Sequence, residues 1–276
     1  MAEAAELAQG WFEVRELEPG VFAISEPLHA EHVRSHLVIG SDRAALIDTG
    51  MGVGDIQAVV ERLTPLPVTV LNSHAHWDHI GGNWQFEAIA IHAAEADDLA
   101  AGVPNAEFRT YFGAESLTGP LPPSFDVASA AIRPSRASRL LTDGETVDLG
   151  GRGLEVLHAP GHSPGGVVFL ERANGTLFST DVAYAGPLYC FSPRTSLTAY
   201  CASLTRLTDL GDAVRKVYPS HNSATMPVAL LPAMRDALDA IAAGRRPDAV
   251  EGAVARHEFD GFAALVSLNA DGTVRQ

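Results

Sequence analysis

The sequence lacks the features that would place it in a membrane, on a nucleic acid or in a disulfide-stapled scaffold. No apolar run approaches the roughly twenty residues that a bilayer-crossing helix needs, and charges interrupt the longer ones within about ten residues. Basic residues are scarce. Against 34 Asp and Glu stand 19 Lys and Arg, a formal net charge of −15 over 276 residues. That balance argues against a surface that follows phosphates, and neither a nucleic-acid nor a membrane partner is expected. Cysteine is limited to Cys190 and Cys201, so two reduced thiols in a cytoplasmic protein are expected. The N-terminal stretch Met1-Ala-Glu-Ala-Ala-Glu-Leu7 has neither the basic nor the apolar region of a secretory signal. No repeat with a period of about 20–50 residues stands out.

What is present is a chain for a sizeable core. Apolar residues make up 46% and charged residues 19%, too apolar for a disordered chain. Short β-branched or apolar runs, most bounded by Gly, Pro, Asp or Ser, predict strands over Val21–Ser25, His36–Ile39, Ala44–Ile47, Val68–Leu71, Ala88–Ile91, Leu154–Leu157, Val167–Leu170, Thr176–Phe178, Arg215–Tyr218 and Ala263–Leu268. Helical spacing appears over Val53–Leu63, Leu197–Leu207 and Pro227–Ala243, the last stopping at Gly244, with a hairpin expected after it. Strands interleaved with helices predict an α/β layered fold. The stretch from about 102 to 140 is different: rich in Pro, Ser, Gly and Ala, it shows no sustained period. It reads as an insertion or lid within a single domain spanning 1–276.

The chemistry concentrates in Asn72-Ser-His74-Ala-His76-Trp-Asp78-His79-Ile-Gly81-Gly82, just after an apolar strand. Imidazole and carboxylate together suit zinc and related divalent ions. Where a chain leaves a strand in extended form, residues two apart project to one side, so His74 and His76 can reach one metal. Asp78 and His79 lie beyond, where a turn made cheap by Gly81 and Gly82 aims them at a second. Downstream, His162 sits in a Pro/Gly turn after a strand, Asp181 ends another strand, and His221 follows a third. Five of the eleven histidines thus stand at strand exits. His29, His32, His36, His92, His158 and His257 have no such pattern.

This set resembles the metallo-β-lactamase superfamily, through His74-x-His76-x-Asp78-His79, His162, Asp181 and His221 in that order. The resemblance implies a four-layer αββα sandwich and a two-metal site. His74, His76 and His162 would hold one ion, Asp78, His79 and His221 the other, with Asp181 bridging. The ions would be two divalent metals, zinc first, with iron or manganese as alternatives. Asp48 matches the family's early aspartate and would brace the histidine-rich loop.

Two such ions acidify a shared water and polarise a carbonyl. The expected activity is therefore a metal-dependent hydrolase in which metal-bound hydroxide attacks a small ester, a lactone (N-acyl-homoserine lactones included) or a thioester. Asp78 would orient the nucleophile or carry its proton. Tyr184, three residues after Asp181, is similar to a tyrosine of the lactonases in this superfamily and would donate to the substrate; otherwise it packs against the Gly186-Pro187 turn. Asp181 argues against a true β-lactamase. Alternatives are an acyl-CoA or glutathione thioesterase and, in another class, an iron-dependent oxidoreductase of the persulfide dioxygenase kind. Trp77, Phe108, Tyr111, Phe112 and Phe125 form an apolar wall for an acyl chain or else anchor the insertion. The partner is a small-molecule substrate, and the protein a monomer or homodimer.

Overall fold

Apolar runs that end at Asp, Asn or Gly become strands, and the loops leaving those strands carry the chemistry. A computed structural model describes residues 10–276; the acidic stretch Met1–Leu7 lies outside them. Two compact units emerge, one running to Leu141 and including Asp148–Gly153, the other made of Thr142–Val147 and Leu154–Gln276.

The first unit is built on a seven-stranded sheet in chain order: β1 (Glu13–Glu18), β2 (Val21–Ser25), β3 (Arg34–Ile39), β4 (Ala44–Ile47), β5 (Val68–Leu71), β6 (Ile89–His92) and β7 (Arg139–Leu141). Pairing is antiparallel through β4 and parallel from β4 to β7. A parallel step needs a crossover, and α1 (Ile56–Leu63) supplies the first. It starts where the Asp55 carboxylate accepts from the Ala58 amide at 2.9 Å, which is why the helix begins three residues later than its apolar spacing suggests. Ile56, Val59 and Val60 bury one face among Leu37, Leu46, Val70 and Ile91. Because β4 and β5 run parallel, the loops after Ile47 and Leu71 leave the sheet at one edge. There ligands converge in open α/β sheets.

The segment from 102 to 140 is more ordered than its composition implies. After α2 (Trp77–Ile80) and α3 (Ala96–Ala101) come α4 (Asn105–Phe108) and a tight turn of helix over Arg109–Phe112. Single bridges tie His29 to Leu117 and Val103 to Ile132. Its aromatic residues, not a repeating pattern, give it a core.

The second unit holds two sheets. The strands are β8 (Thr146–Asp148), β9 (Gly153–His158), β10 (Val167–Glu171), β11 (Thr176–Thr180), β12 (Pro187–Cys190), β13 (Lys216–Pro219), β14 (Ala249–Glu251), β15 (Val254–Phe259) and β16 (Phe262–Ser267). They order as β13-β11-β10-β9-β8 and β12-β16-β15-β14. The expected C-terminal hairpin is β15–β16, closed by Phe259 opposite Phe262. Helices α5 (Leu197–Asp209) and α6 (Leu230–Ala242) bury Tyr200, Leu204, Leu207, Met234, Leu238 and Ile241 in one core. Gly244, at φ +95°, follows α6 in the left-handed conformation that ends many helices. β11 and β13 are parallel, pairing Thr180 with Pro219, so Asp181 and His221 leave the sheet side by side. No helix among the described residues is long and apolar enough to cross a membrane.

Candidate metal centre

In the first unit the chain leaves β5 extended through His76 (φ −69°, ψ 153°), which caps the single turn of α2. Asp78 lies in the first turn of α2 and His79 in its last, and both are buried. His74 meets His76 with ring centroids 4.4 Å apart and His79 at 4.3 Å. His79 Nε2 lies 3.5 Å from an Asp78 oxygen. All four predicted donors of this loop therefore come together.

The expected turn at the glycine pair needs correction. Gly81 has φ −61° and Gly82 φ −92°, values open to any residue. The helical turn of α2 redirects the chain, and the glycines serve close packing. A Cβ on Gly81 would stand 2.1 Å from the Met51 carbonyl carbon, and one on Gly82 2.8 Å from the Thr49 oxygen.

Asp48, itself at φ +61°, braces the loop. One carboxylate oxygen accepts from the Ser73 amide at 2.7 Å; the other accepts from the Ser73 hydroxyl at 2.7 Å and from His79 Nδ1 at 2.9 Å. A carboxylate only accepts, so His79 carries its proton on Nδ1 and its lone pair on Nε2. Since the Ser73 hydroxyl gives its proton to Asp48, the 2.9 Å contact with His74 Nδ1 is a bond donated by His74. His74 too then presents the Nε2 lone pair. Asn72 and Asn83 join the ends of the loop, with Asn83 Nδ2 donating to Asn72 Oδ1 at 2.8 Å.

Beneath this loop is a carboxyl that sequence reading missed. Glu26 is buried, accepts from the Met51 amide at 2.8 Å and from the Trp11 indole, and is pushed up to about 7 by burial. Ser73, Asn72 and Asn83 were also overlooked; the only signal was a polar residue flanking the histidines where the apolar strand ends.

In the second unit His162 follows Gly161 (φ +139°), where a Cβ would stand 2.4 Å from the Tyr200 Cα. His162 Nδ1 donates to the Tyr189 carbonyl at 3.0 Å, leaving the lone pair on Nε2. That atom lies 3.6 Å from Asp181 Oδ2, and His221 Nε2 lies 3.0 Å from the same oxygen. One buried carboxylate thus stands beside two imidazoles, those of His162 and His221. The Tyr200 hydroxyl donates to the backbone after Asp181, at 2.9 Å to Val182 O and 3.1 Å to Asp181 O. Burial pushes this phenol well above its ordinary range, so it stays a donor.

Tyr184 is placed differently from the expectation that it donates to a substrate. Its hydroxyl donates to the Pro187 carbonyl, its ring packs on Gly186, and it stands 5.3 Å from the His221 ring. A phenol has one proton to give, and here it ties the turn. The aromatic residues of the insertion cluster as expected, chiefly as anchors: Trp77 stacks on Tyr111 at 4.2 Å, and Phe108 and Phe112, both buried, meet at 5.0 Å. His29 accepts from the Glu31 amide at Nδ1 and donates from Nε2 to the Tyr111 carbonyl at 2.9 Å, latching the insertion down. His158 donates to the Pro164 carbonyl at 3.1 Å and His92 caps a turn, both structural roles. The two cysteines are free thiols, pushed up by burial to about 11 for Cys190 and about 12 for Cys201.

Among the described residues, the groups of three or more His, Cys, Asp or Glu side chains that could hold a metal ion are drawn from His74, His76, Asp78, His79, His162, Asp181 and His221. These are the seven named from the sequence. Such His/Asp clusters suit a dinuclear metal site.

The family profile described as the metallo-beta-lactamase superfamily matches residues 30–221. Over 224 residues the chain is 35% identical to the acyl-coenzyme A thioesterase MBLAC2 of Gallus gallus, covering 76% of this chain and 80% of that one. It is 27% identical to the hydroxyacylglutathione hydrolase GloC of Haemophilus influenzae, over 66% of this chain and 81% of that protein. Among solved structures, a metallo-beta-lactamase from Pontibacter korlensis superposes with a TM-score of 0.62 at 20% identity, over 83% of this chain and 99% of that one. That likeness shows the fold: an α/β sandwich of mixed sheets and helices.

Proposed function

This chain belongs to the metallo-beta-lactamase superfamily, and on that footing we propose that it is a dinuclear metal-dependent hydrolase whose substrates are acyl thioesters, coenzyme A thioesters first. The observation that carries the proposal is the 35% identity to an acyl-coenzyme A thioesterase over 80% of that protein's length. Sequence reading kept ester, lactone and thioester together and gave an acyl-CoA or glutathione thioesterase as the alternative; this relative and the likeness to GloC favour that alternative. A glutathione thioester is the second reading, favoured by GloC.

The residues fit the metals. His74, His76 and His162 would hold one ion and Asp78, His79 and His221 the other, with Asp181 shared, and zinc suits this set of imidazoles and carboxylates. Asp48, Ser73 and the Tyr189 carbonyl fix the tautomers of His79, His74 and His162 so that Nε2 is the ligating atom. When bound, such a pair acidifies water and polarises a carbonyl. Asp78, besides ligating, is the group of this chain placed to accept a proton as water adds. The half-buried pair of Trp77 and Tyr111 flanks the donor loop and offers an apolar surface to the acyl part.

The test is a panel of acyl-CoA, hydroxyacylglutathione, homoserine lactone and aryl ester substrates, read by thiol appearance or acid release, with metal analysis of the same preparation. Highest kcat/KM on acyl-CoA supports the reading. A lactone or aryl ester ranking first overturns the thioester assignment, and about one iron per chain with oxygen uptake overturns the hydrolase.

A further inference from the structure

We infer that α5 sets the spacing of two donors in the second unit, with Ser203 the positioning residue of His162 and Tyr200 that of Asp181. This rests on the reading of a metal centre and adds to it which side chains hold those donors in place.

The starting point is a polar stripe on a buried helix face. Leu197, Leu204 and Leu207 already seat α5 in the core. Ser196, Tyr200 and Ser203, spaced four and three apart, share one side of the chain there, and Tyr200 and Ser203 are buried. A buried hydroxyl gains little over an apolar side chain once its hydrogen bond is set against the water it loses. What these two hydroxyls supply beyond burial is direction.

Both directions lead to donors. The Ser203 hydroxyl donates to the carbonyl of Pro160, two residues before His162, at 2.6 Å. The Ser196 amide donates to the Gly161 carbonyl at 2.9 Å, and Arg206 Nη1, one turn beyond Ser203, donates to the His158 carbonyl at 3.0 Å. Three carbonyls of the turn that carries His162 are thus held from one helix and its N-cap. The approach is close enough that only the missing Cβ of Gly161 leaves room for the Tyr200 backbone. From the adjoining turn of α5 the Tyr200 hydroxyl reaches the Asp181 and Val182 carbonyls. His162 Nε2 and Asp181 Oδ2 lie 3.6 Å apart, yet β10 and β11 separate them along the chain. Two hydroxyls three residues apart on a regular helix connect them instead, and a helix holds such a distance better than the loops that carry the donors.

The experiment adds cobalt(II) stepwise to metal-free wild type, Ser203→Ala, Tyr200→Phe and a control, Thr208→Ala, whose hydroxyl donates to the Leu204 carbonyl within α5 at 2.8 Å. Visible absorption of the bound cobalt reads affinity and coordination geometry, and urea unfolding of the same metal-free proteins reads stability. A loosened donor weakens cobalt binding by about tenfold in Ser203→Ala and in Tyr200→Phe and alters the absorption band. A role confined to packing lowers stability and leaves affinity and band as they are. Thr208→Ala keeps the wild-type affinity. Unchanged affinity in Ser203→Ala or in Tyr200→Phe overturns the inference for the donor that residue serves, and an equal loss in Thr208→Ala overturns it for both. Should one of the two variants not fold, the other decides. Wild type that takes up no cobalt overturns the metal reading beneath and the inference with it, whereas wild type that binds cobalt beside variants that match it overturns the inference alone.

Discussion

The buried carboxyl of Glu26 predicts an unusual pH dependence of stability, which the substitution Glu26→Gln isolates. Burial raises this group from an ordinary 4.5 to about 7, against the opposing pull of the Trp11 and Met51 hydrogen bonds. Below pH 4.5 both folded and unfolded chains hold the proton. Between 4.5 and 7 the folded chain keeps a proton that the unfolded chain has lost, so stability falls as pH rises. Two and a half pH units at about 1.4 kcal/mol each amount to roughly 3 kcal/mol, present below 4.5 and gone above 7. Glu26 is 1% exposed, so solvent screening removes little of it. His36 works in the opposite sense: burial pushes it down to about 3, so it favours the folded state more as pH rises toward 6.5. Subtracting the variant from the wild type cancels His36. The assay is urea unfolding of both proteins from pH 5 to 8 with a chelator, which keeps proton release by bound metal out of the comparison. Expected is a difference that shifts by roughly 2–3 kcal/mol across the range against a constant offset from the altered Trp11 contact. A difference independent of pH would refute the displaced carboxyl.

Three further outcomes follow from the donor clusters. Tyr184→Phe loses the hydrogen bond to the Pro187 carbonyl and is expected to cost about 1 kcal/mol of stability by chemical denaturation, with turnover within about twofold of wild type; a larger loss of kcat at full metal content would restore a substrate-facing role. Asp48→Asn places an amide against His79 Nδ1 and is expected to weaken metal affinity by about 10–100-fold, measured by competition with a chelator; unchanged affinity would disprove the tautomer argument. Gly81→Ala drives a methyl into Met51 and is expected to lower the unfolding free energy by about 1–3 kcal/mol, whereas a neutral result would mean that the loop yields more easily than its packing suggests.

How much could be read in advance depended on whether the signal was local. β2, β4 and β5 appear at the bounds their apolar runs predict, because short apolar or β-branched runs closed by Gly, Pro, Asp or Ser leave little choice. β1, with the sequence EVRELE and no buried position, and β7, β8 and β14, three residues each, carry no such run and were not foreseen. The seven side chains that form the possible metal-holding groups could be picked out because histidine and aspartate recur at strand exits. Their supports could not. Glu26 finds Met51 25 residues away, and Tyr200 meets Asp181 across 19; nothing at either end of such a pair reveals the other. Tyr184 shows the converse limit: its spacing from Asp181 fits two roles, and the bond to Pro187 O, which favours the packed one, is not legible from that spacing.

Backbone strain marks the donor sites independently of the donors' chemistry. Among the described residues, four that are not glycine adopt positive φ: His32, Asp48, Thr180 and Asn222. Three of these adjoin candidate ligands: Asp48 bonds to His79, Thr180 precedes Asp181, and Asn222 follows His221. A left-handed conformation costs an ordinary residue on the order of 1 kcal/mol or more, and glycine would avoid it. Each position instead keeps a side chain that glycine lacks and uses it. Asp48 holds Ser73 and His79, Thr180 donates to the Val167 carbonyl at 3.2 Å, and Asn222 donates to the Ala185 carbonyl at 3.0 Å. The sharp backbone aims each donor out of its strand, and the side-chain bond stops it from relaxing. Within each unit, that combination orients the neighbouring donor through the protein's own contacts, so a ligand there would need little reorganisation on binding.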